Sequence, residues 1–159
     1  MTFIILDLDN TIANDEWRIK AIDWDCESMF DRYHNYHLLS AFDRPGNLCL
    51  FKNSKHDIVI FTARPIHYQA ATVEWLVRNG VKVKHLFMRG NDDHQHSVAL
   101  KEGQLKRLIA FHGIAKNSIA CAYDDRPDVI EMYRRNGVAA EQVSIHSNCS
   151  YIKPKEKIA

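Results

Sequence analysis

An excess of charge of one sign is missing from this chain: 21 basic residues stand against 20 acidic ones, for a formal net charge of +1. No global basic field therefore advertises nucleic acid, although a locally basic groove is compatible with that total. Cysteine is scarce and scattered. Cys26, Cys49, Cys121 and Cys149 include no CxxC pair, which argues against a structural zinc site and predicts reduced thiols. Cys121 lies within an apolar run and is expected to be a small core residue. No stretch approaches the roughly 18 apolar residues of a membrane span. A GxxxxGK[ST] phosphate loop is absent, so ATP use through such a loop is not expected. Long internal repeats and low-complexity segments are also missing. Because the sequence opens directly on an apolar run, no charged leader is expected. These absences predict a cytoplasmic protein, and 159 residues with 46% apolar content suit one domain with a sizeable core.

What is present is a rhythm. Apolar, β-branched runs recur at Phe3 to Leu6, Ile58 to Phe61, Val83 to Met88, Ile119 to Tyr123 and Val143 to Ile145. Helical periods fill the gaps. Ala70, Val73, Leu76 and Val77 make one apolar face ahead of Gly80. Val98, Leu105, Leu108 and Ile109 make a second, with Ser97 as the expected N-cap and Gly113 near its end. Val129, Ile130, Met132 and Tyr133 make a third before Gly137. Alternating strands and helices predict an α/β fold, a parallel sheet with helices on both faces and its chemistry at the carboxyl ends of the strands. Residues 12–53 break the rhythm. They are long, aromatic and helix-like, and are expected to form a small helical cap after strand 1, part of it serving as a crossover. The lysine-rich residues 151–159 are expected to fray. The whole chain, 1–159, reads as a single domain with that insert.

The acids sit where the strands stop. Asp7 and Asp9 follow the first run, and strand alternation sends both to one side with Leu8 pointing away. Two converging carboxylates need a cation, a shared proton or strong donors. Asp124, Asp125 and Asp128 crowd the end of the fourth run; capping and dipole compensation account for two of them, not three. With Asp7 and Asp9 they make a hard oxygen cluster suited to Mg²⁺ rather than zinc. After Phe61, Thr62 offers a hydroxyl, and the turn through Ala63 and Arg64 offers N–H groups, to phosphate oxygens; the plainer alternative makes Thr62 an N-cap. Lys101 and Lys106 lie five residues apart and should not share a helical face. Lys101, near the start of its helix, is the one expected at the crevice.

These residues resemble the four motifs of the haloacid dehalogenase (HAD) superfamily of phosphatases, in their expected order. Asp7-Leu8-Asp9-Asn10-Thr11 is similar to the nucleophile motif, and Phe61-Thr62-Ala63-Arg64 to the second. Lys101 is similar to the third, and Asp124-Asp125-Arg126-Pro127-Asp128 to the fourth. The last third resembles more closely the 3′-phosphatase domain of phage-type polynucleotide kinases. That likeness rests on Leu100-Lys101-Glu102, on Glu131-Met132-Tyr133-Arg134-Arg135-Asn136-Gly137-Val138 and on Gln142-Val143. The resemblance implies a HAD-like Rossmannoid sheet and an Mg²⁺-dependent phosphoaspartyl enzyme. In it Asp7 is the nucleophile, Asp9 the acid and base, Thr62 and Lys101 neutralise phosphoryl oxygens, and Asp7, Asp9 (through its carbonyl), Asp124 and Asp125 hold the metal. Arg64 would grip phosphate or pair with a nearby acid. The substrate implied is a 3′-phosphate on a nucleic-acid end, and any kinase or ligase activity is expected from a separate chain.

Two other classes compete. A phosphorylated receiver module would carry its acceptor on a middle strand, yet the middle run here ends in Thr62. A zinc module would use His34 and His37, which share a helical face three residues apart but lack a cysteine or acid at short spacing. Within the phosphatase reading, a 5′(3′)-nucleotidase acting on free nucleotides is the alternative. Trp17, Trp24, Tyr33 and Tyr36 could stack a base, or simply fill core. Arg89 could reach a phosphate or sugar at the mouth, and Asp92-Asp93-His94-Gln95-His96 is expected to be a solvated loop beside it.

Overall fold

The computed structural model describes residues 1–20, 22 and 40–147. Seven strands are described, namely β1 (Phe3–Leu6), β2 (Ala13–Asn14), β3 (Arg44–Pro45), β4 (Asp57–Pro65), β5 (Val83–Arg89), β6 (Ile119–Asp124) and β7 (Ala140–Gln142). Five of them form one sheet in the order β5-β4-β1-β6-β7, and every neighbouring pair is parallel. The α-helices among the described residues are α1 (Glu16–Ile19), α2 (Gln69–Arg78), α3 (Ser97–His112) and α4 (Pro127–Arg135).

Strand alternation explains why helices cover both faces. Phe3, Ile5, Val59 and Phe61 pack on one side with Leu105 and Leu108 of α3 and Val129, Ile130 and Tyr133 of α4. Ile4, Leu6, Ile58 and Ile60 pack on the other with Trp75 and Leu76 of α2. Each such side chain contributes ~1.5–3 kcal/mol when fully buried, so a one-residue slip of β1 would reverse both faces at once. Central β1 lies between β4 and β6, and the residues following it emerge in the crevice where the strand order reverses.

Three local expectations need correction. The helix carrying Lys101 is capped by His96, not Ser97: the His96 Nδ1 atom accepts from the Val98 N–H, and Ser97 is already helical. The last strand is Ala140–Gln142 rather than Val143 to Ile145. Val143 N makes one further bond to Asp124 O (2.9 Å), after which a turn closed by Ser147 N and Ser144 O takes over. The apolar run there serves packing: Val143 joins the core, and Ile145 lies against Gly46, leaving no room for a Cβ at that position. Cys49 takes part in a disulfide, so the expectation of reduced thiols fails at that residue, whereas Cys121 is a half-buried free thiol.

Within 12–53, the described residues include an antiparallel pairing of β2 with β3 and a 3-10 turn at Leu48–Leu50. Trp24, Tyr33, His34, Tyr36, His37 and the 151–159 tail lie outside the described residues. Among the described residues, no helix is long and apolar enough to cross a membrane.

Candidate active site

The turn after β1 accounts for each residue of its motif. Asp7 N donates to Tyr123 O (3.0 Å), continuing the sheet for one step. The Leu8 carbonyl then accepts from the N–H groups of Thr11, Ile12 and Ala13, while the Leu8 side chain is fully buried. Asn10 adopts φ 59°, a left-handed geometry asparagine tolerates, and its Nδ2 donates to Asp125 Oδ2 at 3.0 Å. Thr11 Oγ1 donates to Asp7 Oδ2 at 3.0 Å.

Lys101 is brought to the same point by the first turns of α3. Its Nζ donates to Asp7 Oδ1 at 2.7 Å and to Asp124 Oδ2 at 2.5 Å. Lys101 is 2% exposed and Asp124 0%. Burial alone would lower the Lys101 pKa, but the Asp7 and Asp124 carboxylates outweigh it and raise it, so the ammonium is retained. Burial pushes the Asp7 carboxyl well above its ordinary value; Lys101 opposes this, and Asp124 and Asp125 add to it. Asp125 is pushed up mainly by burial, with its hydrogen bond from Asn10 opposing.

One carboxylate oxygen from each of Asp7, Asp124 and Asp125 lies within 4.8 Å of the others. Three carboxylates face one ammonium, an excess of negative charge with an all-oxygen donor set, and that fits a hard divalent cation. Asp128 stands apart, paired with Arg126 at 2.8 Å near the surface.

Asp9 is held on different terms. Its Oδ1 accepts from Arg18 Nη2 at 2.8 Å and from Arg64 Nη2 at 2.6 Å, and its Oδ2 accepts from Arg64 Nε at 3.0 Å. Both guanidiniums are fully buried and both also reach Asp43. Burial would lower the Arg64 pKa; Asp9 more than compensates and raises it. Burial raises the Asp43 carboxyl, against the pull of Arg18 and Arg64.

Of the two roles expected for Arg64, the geometry shows pairing with acids and not a free phosphate grip. Thr62 is not an N-cap, because β4 runs on through Pro65; it is buried, and its hydroxyl accepts from Arg64 N at 3.1 Å. Arg89 braces the mouth, donating to the carbonyls of Ala63, Asp93 and Gln95.

A cavity of about 610 Å³ opens over this floor, with Asp7, Asp9, Asp125, Lys101, Ala63 and Arg64 among its walls. Asp93, His94 and Gln95 of the polar loop also line it, as do Arg89 and Arg126. Trp17 turns its indole N–H to Asp43 Oδ1 (2.7 Å). Tyr33 and Tyr36 lie outside the described residues.

Sequence reasoning missed Arg18 and Asp43. Neither belongs to a strand-end motif, and each is tied to Asp9 or Arg64 across at least nine residues of chain. The sequence carried little signal: Arg18 stands among Asp15, Glu16 and Lys20, where a charged side chain ordinarily points to solvent.

A parallel sheet with one buried acid after its central strand, two more after the neighbouring strand and a lysine bridging them defines a hydrolase of the HAD-like class. The chain belongs to the polynucleotide kinase PNKP phosphatase domain family, whose model matches residues 1–147, and is a phosphatase of that class. Among solved structures, a chain of the Pnkp1/Rnl/Hen1 RNA repair complex is 20% identical with a TM-score of 0.64, over 89% of this chain and 42% of that one. This chain thus spans less than half of that relative. The haloacid dehalogenase-like hydrolase SP0104 from Streptococcus pneumoniae is 11% identical with a TM-score of 0.66, over 94% and 89%. A hydrolase from Streptococcus pneumoniae TIGR4 is 12% identical with a TM-score of 0.61, over 92% and 94%. At such identities these likenesses speak for the fold alone. No match is found among curated proteins.

Proposed function

We propose that the chain is an Mg²⁺-dependent phosphomonoesterase that works through a phosphoaspartyl intermediate and removes 3′-phosphates from nucleic-acid ends. The observation carrying this reading is Lys101 bridging Asp7 and Asp124 on the cavity floor. A buried carboxylate whose charge is opposed by its surroundings stays available as a nucleophile only if cations stand beside it.

Asp7 attacks phosphorus, forming a P–O bond as the ester P–O bond breaks. Asp9, at the cavity wall, gives a proton to the departing oxygen. It then takes one from the water that attacks the phosphoaspartate and regenerates Asp7. Lys101 neutralises phosphoryl oxygens, and the chain from Thr62 to Arg64 places its backbone at the same group. Asp7, Asp124 and Asp125, with the Asp9 carbonyl, are the groups that would hold Mg²⁺. That ion, when bound, screens the nucleophile from the phosphate and withdraws charge from its oxygens. No single group suffices, since accelerations of phosphomonoester hydrolysis reach ~10²¹.

The family match over residues 1–147 supports a nucleic-acid end as the substrate. A net charge of +1 suits a grip on one terminal phosphate better than tracking of a long polyanion. On this reading the whole chain is one phosphatase domain framed by 12–53, and kinase or ligase steps fall to separate chains.

The test compares phosphate release from 3′-phosphorylated oligonucleotides and from 3′- and 5′-mononucleotides at matched concentration. Faster release from the oligonucleotide 3′ end is expected. A large preference for mononucleotides would replace this reading with a nucleotidase.

A further inference from the structure

Asp43 neither belongs to the grouped acids nor lines the cavity itself, yet it is among the most heavily paired groups in the described structure. Its Oδ1 accepts from Trp17 Nε1 at 2.7 Å and from Arg18 Nε at 3.2 Å. Its Oδ2 accepts from Arg18 Nη2 at 2.7 Å and from Arg64 Nη2 at 3.4 Å. Its backbone carbonyl accepts from Trp75 Nε1 at 2.8 Å, which ties it to α2. The Asp43 side chain is 0% exposed, as are those of Arg18 and Arg64, while that of Asp9 is 21% exposed.

Among the described residues, two acids and two arginines thus pair into one group whose Asp9 corner opens to the cavity. Burying such a group is a poor way to gain stability, since well-packed apolar residues would serve as well or better. What the quartet does supply is rigidity. Arg18 Nη2 bridges Asp43 and Asp9 in one reach, and Arg64 does the same from β4. Thr72 fixes the remaining arm of Arg64, accepting from Nη1 at 3.2 Å. The Asp9 carboxylate therefore inherits its orientation from a residue on the far side of both guanidiniums.

We propose that Asp43 is a positioning residue, holding Arg18 and Arg64 so that Asp9 meets the ester oxygen as the P–O bond breaks. The proposal rests on the phosphatase reading, with Asp9 as proton donor. It extends that reading to a residue outside the motifs, supplied by the 12–53 insert immediately before β3. Without Asp43, Arg18 loses an acceptor of its Nε and Nη2, and Arg64 loses one of the anchors it has beside Asp9 and Thr72. Asp9 then keeps its charge partners but not a fixed geometry, and a misplaced acid donates poorly.

The discriminating measurement is leaving-group dependence of kcat/KM, which reports the steps up to formation of the phosphoenzyme. p-Nitrophenolate departs without a proton, whereas the alkoxide of a nucleoside 3′-phosphate requires one. Asp43→Asn should lower kcat/KM for a 3′-phosphorylated oligonucleotide, whose leaving group is the same kind of alkoxide, about 10²-fold and for p-nitrophenyl phosphate less than about threefold. Arg18→Lys keeps the charge but cannot bridge both acids; it should show the same selective loss and serves where Asp43→Asn does not fold. Equal losses on the two substrates, or no loss on either, would overturn the assignment. Collapse of both variants would overturn it too, by marking the quartet as a folding element. A wild type inactive on both esters would instead strike the phosphatase reading.

Discussion

Asp7 is asked to be both buried and ionised. Its surroundings disfavour the charge, because burial outweighs the single ammonium of Lys101. Replacing it with asparagine keeps the shape and removes the unfavourable charge. Asp7→Asn should therefore abolish turnover, by at least about 10⁴-fold, while the metal-free variant melts no lower than wild type. A colorimetric phosphate assay and a thermal scan on the same sample check both halves. Residual wild-type turnover would end the phosphoaspartate proposal. The opposite balance holds at Lys101, where two carboxylates raise the pKa against burial. The charge there is secure, and Lys101→Met should lose turnover and leave Asp7 and Asp124 facing each other unscreened, at a cost of several kcal/mol. A urea titration reads that loss.

At the scale of elements, what was legible was whatever lay within a few residues of a strand end. Asp7 to Thr11 could be read because one tight turn satisfies all five, and Asp124 with Asp125 because three acids exceed what capping uses. Lys101 could be read from helical position alone. The Arg18–Asp43–Arg64–Asp9 quartet could not, because its members come from α1, the segment before β3, β4 and the first turn, and only the fold makes them neighbours. Val143 to Ile145 misled for a related reason: a buried apolar run has the same appearance whether it pairs or merely packs. Asn47 shows the same non-local logic. With φ 46°, it donates through Nδ2 to Thr11 O and to Ser144 O, both at 2.7 Å. It thereby fastens the segment after β7 to the turn that carries Asp7. Asn47→Ala removes both donors and places alanine in left-handed backbone, so a loss of about 1–3 kcal/mol in urea unfolding is expected.

For the whole molecule, the acid cluster makes stability, metal and pH one question. Asp7 and Asp125 both have raised folded-state pKa values. For such groups the contribution to stability is fully present below the unfolded pKa. It is lost as pH rises toward the folded pKa, because the native state holds protons that the unfolded chain has already released. The metal-free protein should accordingly be penalised at this site as pH climbs from about 4. A divalent cation reverses the sign, since it takes the deprotonated carboxylates and competes with protons for them. The Mg²⁺-induced rise in melting temperature should then grow from pH 5 to pH 8. At a hundredfold excess over Kd it corresponds to about 2.7 kcal/mol. Chelation by EDTA should silence turnover over the same range and Mg²⁺ should restore it. Asp125→Asn, which removes one of the three grouped carboxylates, should shrink both the rise and its pH dependence. A Mg²⁺ increment that is constant with pH, or unchanged in that variant, would place the metal somewhere other than Asp7, Asp124 and Asp125.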